Sequence, residues 1–201
     1  MKKYFLYCFL CFLFGLANHT VLAQDDLPDR RFKGGVILGV NLSQIDGDLL
    51  AGYNKPGFNT GLAVSAILTK RWEIGIELLY SQKGASRTLT DQLASAFDKI
   101  RLNYVEAPVL VHFYDWKFRV STGLSYARLL NFTIIDSLGE DVSDRQDFRS
   151  GNFTFIIGAD YFIRDNWSIG ARWSRESDIQ NNSGANDFRG RSVSIRSNYL
   201  F

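Results

Sequence analysis

From about residue 33 onward the chain alternates apolar and polar side chains with a period of two, and a polypeptide patterned this way must build sheet. The alternation falls into eight segments, near residues 33–43, 57–69, 72–83, 99–113, 116–128, 151–163, 166–177 and 188–201. In the third, Trp72, Ile74, Ile76, Leu78 and Tyr80 share one face, while Glu73, Gly75, Glu77 and Ser81 share the other with Leu79. The fifth sets Phe118, Val120, Thr122, Leu124 and Tyr126 against Arg119, Ser121, Gly123 and Ser125. The seventh sets Trp167, Ile169, Ala171 and Trp173 against Ser168, Gly170, Arg172 and Ser174, and the eighth opposes Val193, Ile195, Tyr199 and Phe201 to Ser192, Ser194, Arg196 and Asn198. One face is apolar; the other is small or charged.

The connections alternate too. Tight links at Lys70-Arg71, Tyr114-Asp115 and Arg164-Asp165 take turns with long polar loops near 44–56, 84–98, 129–150 and 178–187. An eight-stranded antiparallel up-and-down meander follows, with all long loops at one end and both termini at the other. This is the plan of an outer-membrane barrel with short periplasmic turns and longer extracellular loops.

Such a meander either hides its apolar face inside, as a soluble ligand-holding barrel does, or shows it to lipid. The charges decide between them. Glu73, Glu77, Glu106, Arg119, Asp160, Arg172 and Arg196 all lie on the parity opposite the apolar stripe. So do Gly35, Gly39, Gly61, Ala63, Gly75, Gly123, Gly158 and Gly170, and an eight-stranded lumen has room for long charged side chains only among small neighbours. The apolar stripes end in aromatics: Trp72, Phe113, Phe118, Tyr161, Trp167 and Tyr199 toward the short turns, and Phe58, Tyr80, Tyr126, Phe153 and Trp173 toward the long loops. Two such belts match interfacial girdles. Hence the expected fold is an all-β transmembrane barrel of eight strands. Its inward charges are expected to form a lumen network of Glu-Arg pairs, because an unpaired charge in a narrow lumen costs several kcal/mol. Pro108 cannot donate to a ladder, so a bulge or kink is expected near Glu106.

The N-terminus fixes the compartment. Lys2 and Lys3, an apolar run from Tyr4 to Ala17, and the close Val21-Leu22-Ala23 make a secretory signal peptide over residues 1–23, cleaved before Gln24. The barrel domain is then residues 24–201. Cys8 and Cys11 leave with the signal, as does His19, so the mature chain carries no thiol and His112 is its only histidine. Losing Lys2 and Lys3 leaves 21 of 23 basic residues against 21 acidic ones. A neutral chain offers no basic excess for nucleic acid. The chain stops at Tyr199-Leu200-Phe201, with aromatics on the lipid-facing parity.

Three stretches, GVILGVNLS from Gly35 to Ser43, GFNTGLAVSAILTKRWEIGIELLYSQKG from Gly57 to Gly84, and LNYVEAPVLVHFY from Leu102 to Tyr114, resemble the PorT-like outer-membrane β-barrel proteins of Bacteroidetes. Matching positions are Gly35 and Gly39, Gly57 and Phe58, Tyr80, Ser81, Lys83 and Gly84, then Tyr104, Glu106 and Pro108. The resemblance implies the barrel fold and the outer membrane of a Gram-negative cell, with N- and C-termini periplasmic, and it carries no catalytic residues. PorT itself is associated with protein secretion, while most members of the family have no assigned activity. The terminal aromatics Tyr199 and Phe201 resemble the C-terminal signal of outer-membrane barrels, which implies recognition by the barrel-assembly machinery.

For function the sequence leaves three classes open. The first is a structural or surface-binding barrel acting through its long loops. The second is a narrow channel, and the third an accessory component of an envelope or secretion machine. An enzyme is not expected: His112 lies two residues before the Tyr114-Asp115 turn, the wrong end for chemistry on outer-leaflet lipid, and no catalytic motif accompanies it. No cofactor or metal site is expected. The acidic residues of 129–150 (Asp136, Glu140, Asp141, Asp144 and Asp147, with Arg145 and Arg149) and Asn181, Asn182, Asn186 and Asp187 of the last loop have no calcium-loop spacing. Residues 88–98 are expected to make a helical turn or two. Expected partners are outer-membrane lipid, the assembly machinery and an extracellular or periplasmic protein.

Overall fold

The computed structural model describes residues 31–46, 55–86, 97–143, 148–178 and 189–201. The expected signal peptide, most of the expected helical turn, Asp144, Arg145 and Asp147, and the asparagine-rich last loop lie outside these residues.

Eight antiparallel strands close into a barrel in sequence order. They are β1 (Phe32–Asp46), β2 (Lys55–Ile67), β3 (Trp72–Ser86), β4 (Phe97–Asp115), β5 (Phe118–Asp136), β6 (Gly151–Arg164), β7 (Trp167–Asp178) and β8 (Arg189–Leu200). Closure is by β1 on β8, where Gly35 faces Leu200 and Asp46 faces Arg189. Phe201 adds a last pair of backbone hydrogen bonds with Gly34, at 2.8 and 3.1 Å. A closed barrel leaves no unpaired edge, which a sheet crossing hydrocarbon requires.

The two faces divide as the period-two pattern dictates. Outward side chains such as Leu62, Ile76, Leu78, Leu124 and Ile195 are each more than half exposed, and the inward charges are almost wholly buried. Girdle residues stand on the outer wall at both ends. Trp72 meets Phe113 across the β3–β4 ladder with ring centres 4.9 Å apart, Phe118 meets Tyr161 at 5.1 Å, and Tyr126 meets Phe153 at 5.5 Å. Trp167 donates its indole N–H to Ser197 at 2.7 Å, and Trp173 is half-buried on the same wall.

Three expectations are corrected. Two of the three tight turns shift: β2 and β3 are joined by residues 68–71, which include the expected Lys70-Arg71, but β4 and β5 are joined by Trp116-Lys117 and β6 and β7 by Asp165-Asn166. Trp116 sits in the left-handed region at φ 52°, a turn conformation rather than the strand position expected for it. Pro108 produces no bulge. It pairs with Ser125 in unbroken register on the β5 side. Toward β3 two rungs between Ile76–Val109 and Leu79–Glu106 go unmade with no residue inserted. The missing N–H is absorbed as lost pairing instead.

The third correction concerns the long-loop end. Residues 129–136, expected in a loop, continue β5, and the β4–β5 hairpin rises beyond its neighbours. Its register shifts between Asn103 and Tyr104, where Leu130 is the extra residue. A bulge re-aims the side chains beyond it, so the parity of β5 flips and Ile134 turns inward. There Ala85, Ile100, Leu102, Tyr104, Ala127, Ile134, Val142 and Phe148 form a buried apolar cluster, with Leu129 and Phe132 packed against it. The Phe132 and Phe148 rings lie 5.1 Å apart. On the outside at this level the wall becomes polar: Tyr80 Oη and Gln82 Nε2 donate to Asn103 Oδ1 at 3.1 and 3.0 Å, and Asn103 Nδ2 donates to Asn131 Oδ1 at 2.5 Å. Apolar outside and polar inside becomes polar outside and apolar inside. That inversion marks the height at which the barrel leaves hydrocarbon for water.

Candidate functional site

Inward parity brings the charged residues of different strands into one lumen, where each must find a counter-ion. All seven expected members, Glu73, Glu77, Glu106, Arg119, Asp160, Arg172 and Arg196, are buried there. At the centre Glu77 of β3 reaches across to β7, accepting two parallel hydrogen bonds from Arg172 at 2.7 and 2.8 Å, and takes a third from Arg196 of β8 at 3.2 Å. A bidentate guanidinium–carboxylate pair is the strongest and most directional ion pair a protein makes. Arg119 and Asp160 face each other on β5 and β6 with nitrogens of the guanidinium 2.9 and 3.0 Å from the carboxylate. Asn198 Nδ2 donates to the other Asp160 oxygen at 2.8 Å.

Three members escaped the sequence argument. Lys33 pairs with Glu73 at 2.5 Å near the short turns, and Lys83 sits between Glu106 at 2.5 Å and Glu176 at 2.6 Å below the apolar cluster. Tyr114 Oη and Ser65 Oγ also donate to Glu73, at 2.9 and 3.1 Å. Lys33, Lys83 and Glu176 lie on the charged parity of their strands, so parity alone signals them, although they stand at the strand ends. With them the ion-paired network has, among the described residues, five carboxylates against five cations. Lys55, at the loop end of β2, is a further buried cation above this network.

The motifs that carry the family resemblance meet in one knot. Asn41 Nδ2 donates to Ser81 Oγ at 2.9 Å, Gly84 N donates to Ser43 Oγ at 2.9 Å, and Lys83, paired to Glu106, stands 5.9 Å from the Tyr104 ring centre. Gly84 has φ 148°, and a Cβ there would lie 1.9 Å from the Ile100 carbonyl oxygen, so only glycine fits. These residues tie β1, β3 and β4 together beneath the apolar cluster.

His112 is buried on the lumen side, with Nδ1 2.7 Å from Ser121 Oγ and Nε2 against the bare Cα of Gly75. The cavity beside it, lined by Glu77 and Arg119 among others, holds about 10 Å³, the room of about one water. Among the described residues no group of three His, Cys, Asp or Glu is placed to hold a metal ion. In the loop after β5, Asp136 accepts from the backbone N–H groups of Leu138 and Glu140, and Asp141 from both the N–H and the hydroxyl of Ser143. Those bonds hold the Asp141 carboxyl below its ordinary pKa. Asp136 and Asp141 thus serve as turn caps.

A second cavity of about 910 Å³ opens at the short-turn end, lined by Phe32, Ile67, Tyr114, Phe162 and Leu200 and by charged residues of the turns.

Comparison with known proteins agrees with this architecture. The family model described as "Outer membrane protein beta-barrel domain" matches residues 9–201. The attachment invasion locus protein Ail of Yersinia pestis superposes with a TM-score of 0.53 at 15% identity, over 86% of this chain and 100% of that one. Neisserial surface protein A superposes with a TM-score of 0.50 at 11% identity, over 86% and 98%. At such identities the likeness is one of fold. No curated protein matches the sequence.

Proposed function

Since the chain belongs to the outer membrane β-barrel domain family, we propose that it is a non-catalytic, non-conducting barrel that serves as a structural or surface-binding element through its long loops. Residues 1–23 are its cleaved signal peptide, and Tyr199 and Phe201 its recognition signal for the barrel-assembly machinery. In the inserted protein both termini and the short turns face the periplasm, and the long loops face outward.

One observation carries this reading: the Glu77–Arg172 pair and the Lys83–Glu176 pair bridge the lumen from β3 to β7, at 2.7 and 2.6 Å. A solute passing through would have to break these pairs in a low-dielectric interior, a cost of several kcal/mol each. The His112–Ser121 pair is enclosed in the same filling, away from lipid and substrate. What remains accessible is loop. The filled lumen also suits a second reading, an accessory component of an envelope or secretion machine, because a barrel that conducts nothing can serve as a scaffold.

The two readings share one test. A variant with residues 47–54, 87–96, 137–150 and 179–188 replaced by short glycine-serine links should keep heat-modifiable mobility on gels yet lose the partner that the intact barrel retains in crosslinked outer membranes. Planar bilayers should show no discrete conductance for either form. Discrete steps of current, or a partner retained without the loops, would contradict the loop-binding reading; retention of a periplasmic partner alone would favour the scaffold.

A further inference from the structure

Lys55 is only 6% exposed, yet it takes no part in the ion-paired network of the lumen. It opens β2 at the long-loop end, three residues above the girdle residue Phe58 and clear of the hydrocarbon. Here β1, β2 and β3 close on one another in a tight corner. Asn41 Nδ2 of β1 donates to the Gln82 carbonyl of β3 at 3.1 Å, and Gly84 N–H donates to Ser43 Oγ at 2.9 Å. The same Ser43 hydroxyl donates to the Lys55 carbonyl at 3.2 Å. The rungs on the other side of β3 set Gly84 against Arg101 and Ser86 against Lys99. One corner of the barrel thus gathers cations from β2 and β4.

Among the described residues no ion pair includes Lys55, Lys99 or Arg101, and Arg101 Nε is enclosed without a hydrogen-bond partner. The carboxylates below, Glu106 and Glu176, are both engaged by Lys83. Lys99 and Arg101 are themselves half-buried. Burial, reinforced by the charges of Lys99 and Arg101, pushes the Lys55 amine down from its ordinary 10.5 to about 8. A carboxylate in contact with the amine would push it the other way. Enclosed charge of one sign needs a counter-charge, and this group leaves that place to an anion from outside the chain. Converging ammonium and guanidinium groups suit a phosphate monoester, which carries nearly two negative charges at neutral pH and accepts paired hydrogen bonds from arginine.

We propose that Lys55, Lys99 and Arg101 form a binding site for a phosphate monoester at the long-loop end of the barrel. Lys55 supplies the enclosed charge at its base, Arg101 the paired N–H groups and Lys99 a further cation beside them. The phosphoryl group belongs either to a soluble ester or to a phosphorylated glycolipid of the outer leaflet, and the same three cations serve both. All three are strand residues, so the site stands whether or not the loops hold a partner.

Isothermal titration calorimetry tests it on the intact barrel refolded in an uncharged detergent, with glucose 6-phosphate as the probe and glucose as its uncharged control. Saturable binding of the ester alone is expected, weakened at least about tenfold by Lys55→Met and by Arg101→Met. Urea unfolding in phosphate-free buffer guards against a variant that merely fails to fold. With no carboxylate to strand, Lys55→Met is expected to keep or raise the wild-type midpoint, and saturating glucose 6-phosphate is expected to raise the midpoint of the wild type only. Nanodiscs separate the two sources: a bilayer containing diphosphoryl lipid A that blocks the ester assigns the site to a lipid headgroup, and one that leaves the ester bound assigns it to a soluble ligand. Absence of saturable binding, or an affinity unchanged in either Met variant, overturns the proposal. So does a midpoint lowered by Lys55→Met in phosphate-free buffer, because the amine would then have its counter-charge within the chain.

Discussion

Replacing Glu77 by leucine is expected to cost the barrel about 3–5 kcal/mol, the loss found when one partner of a buried ion pair is removed and the other stays. Glu77 is buried at the middle of the lumen and answers two guanidinium groups, Arg172 from β7 and Arg196 from β8. Without it both cations remain enclosed with no carboxylate in contact, and the leucine, though close in volume, returns none of their hydrogen bonds. Glu77→Gln keeps acceptors in place and removes only the charge, so its loss should be smaller. A further Arg172→Met change on the leucine background should recover part of the stability, because it removes one stranded charge. Lys33→Met is the contrast: the Lys33 side chain is 36% exposed and water can solvate Glu73 in its absence, so its effect should fall nearer the 0–1 kcal/mol of an exposed pair. Urea unfolding of barrels refolded into phospholipid vesicles gives all of these values. Equal losses for Glu77→Leu and Lys33→Met would deny that the centre of the lumen is closed to water.

One residue earlier in β3 the sign of the argument reverses. Ile76→Arg is expected to destabilise the inserted barrel by about 2–4 kcal/mol, the cost of a cation on the lipid face at the bilayer midplane. Ile76 is 58% exposed on the outer wall, four residues from Trp72 at one girdle and four from Tyr80 at the other. On a water-soluble barrel an exposed isoleucine is replaced by arginine at almost no cost, so the substitution separates the two environments cleanly. The same change at Tyr80, beside the Asn103–Asn131 rung, should cost about 0–1 kcal/mol because the side chain reaches headgroups and water. Vesicle refolding yields along the series 76, 78 and 80 should rise toward the girdle. A flat series would remove the hydrocarbon from the description.

What the sequence made legible follows from the physics of this environment. Between the girdles every strand position has one of two surroundings, lipid or lumen, so Ile74, Ile76 and Leu78 against Glu73, Gly75 and Glu77 could be sorted by parity. The closed eight-stranded order and the placement of the seven inward charges were reachable that way. Partner choice was not. Glu77 meets Arg172 across the lumen because of the tilt and stagger of strands β3 and β7, which no local pattern encodes.

Above the girdle the rule that an apolar face meets lipid inverts, and there side-chain polarity misleads. Ile100, Leu102 and Ile134 resemble more lipid-facing strand, yet they fill an interior surrounded by water. The bulge at Leu130 changes which face follows, and a single sequence gives no sign of it. Lys83 and Glu176, just below this boundary, keep the charged parity but stand at the ends of the expected strands, where little alternation remains to frame them. The β4–β5 turn lies two residues beyond its expected place because Trp116, with its girdle-like side chain, reads as strand while its backbone is the turn.

The outer wall in hydrocarbon and the enclosed charged face are tested most directly along β3. Nitroxide labels placed singly at positions 74 to 78 of the barrel in lipid vesicles can be probed for collisions with oxygen, which concentrates in the bilayer, and with a water-soluble nickel chelate. High oxygen and low nickel contact are expected at 74, 76 and 78, deepest at 76, with little contact from either probe at 75 and 77. Nickel contact at 76 equal to that of a label on the Trp116-Lys117 turn, or oxygen contact at 77 equal to that at 76, would contradict it.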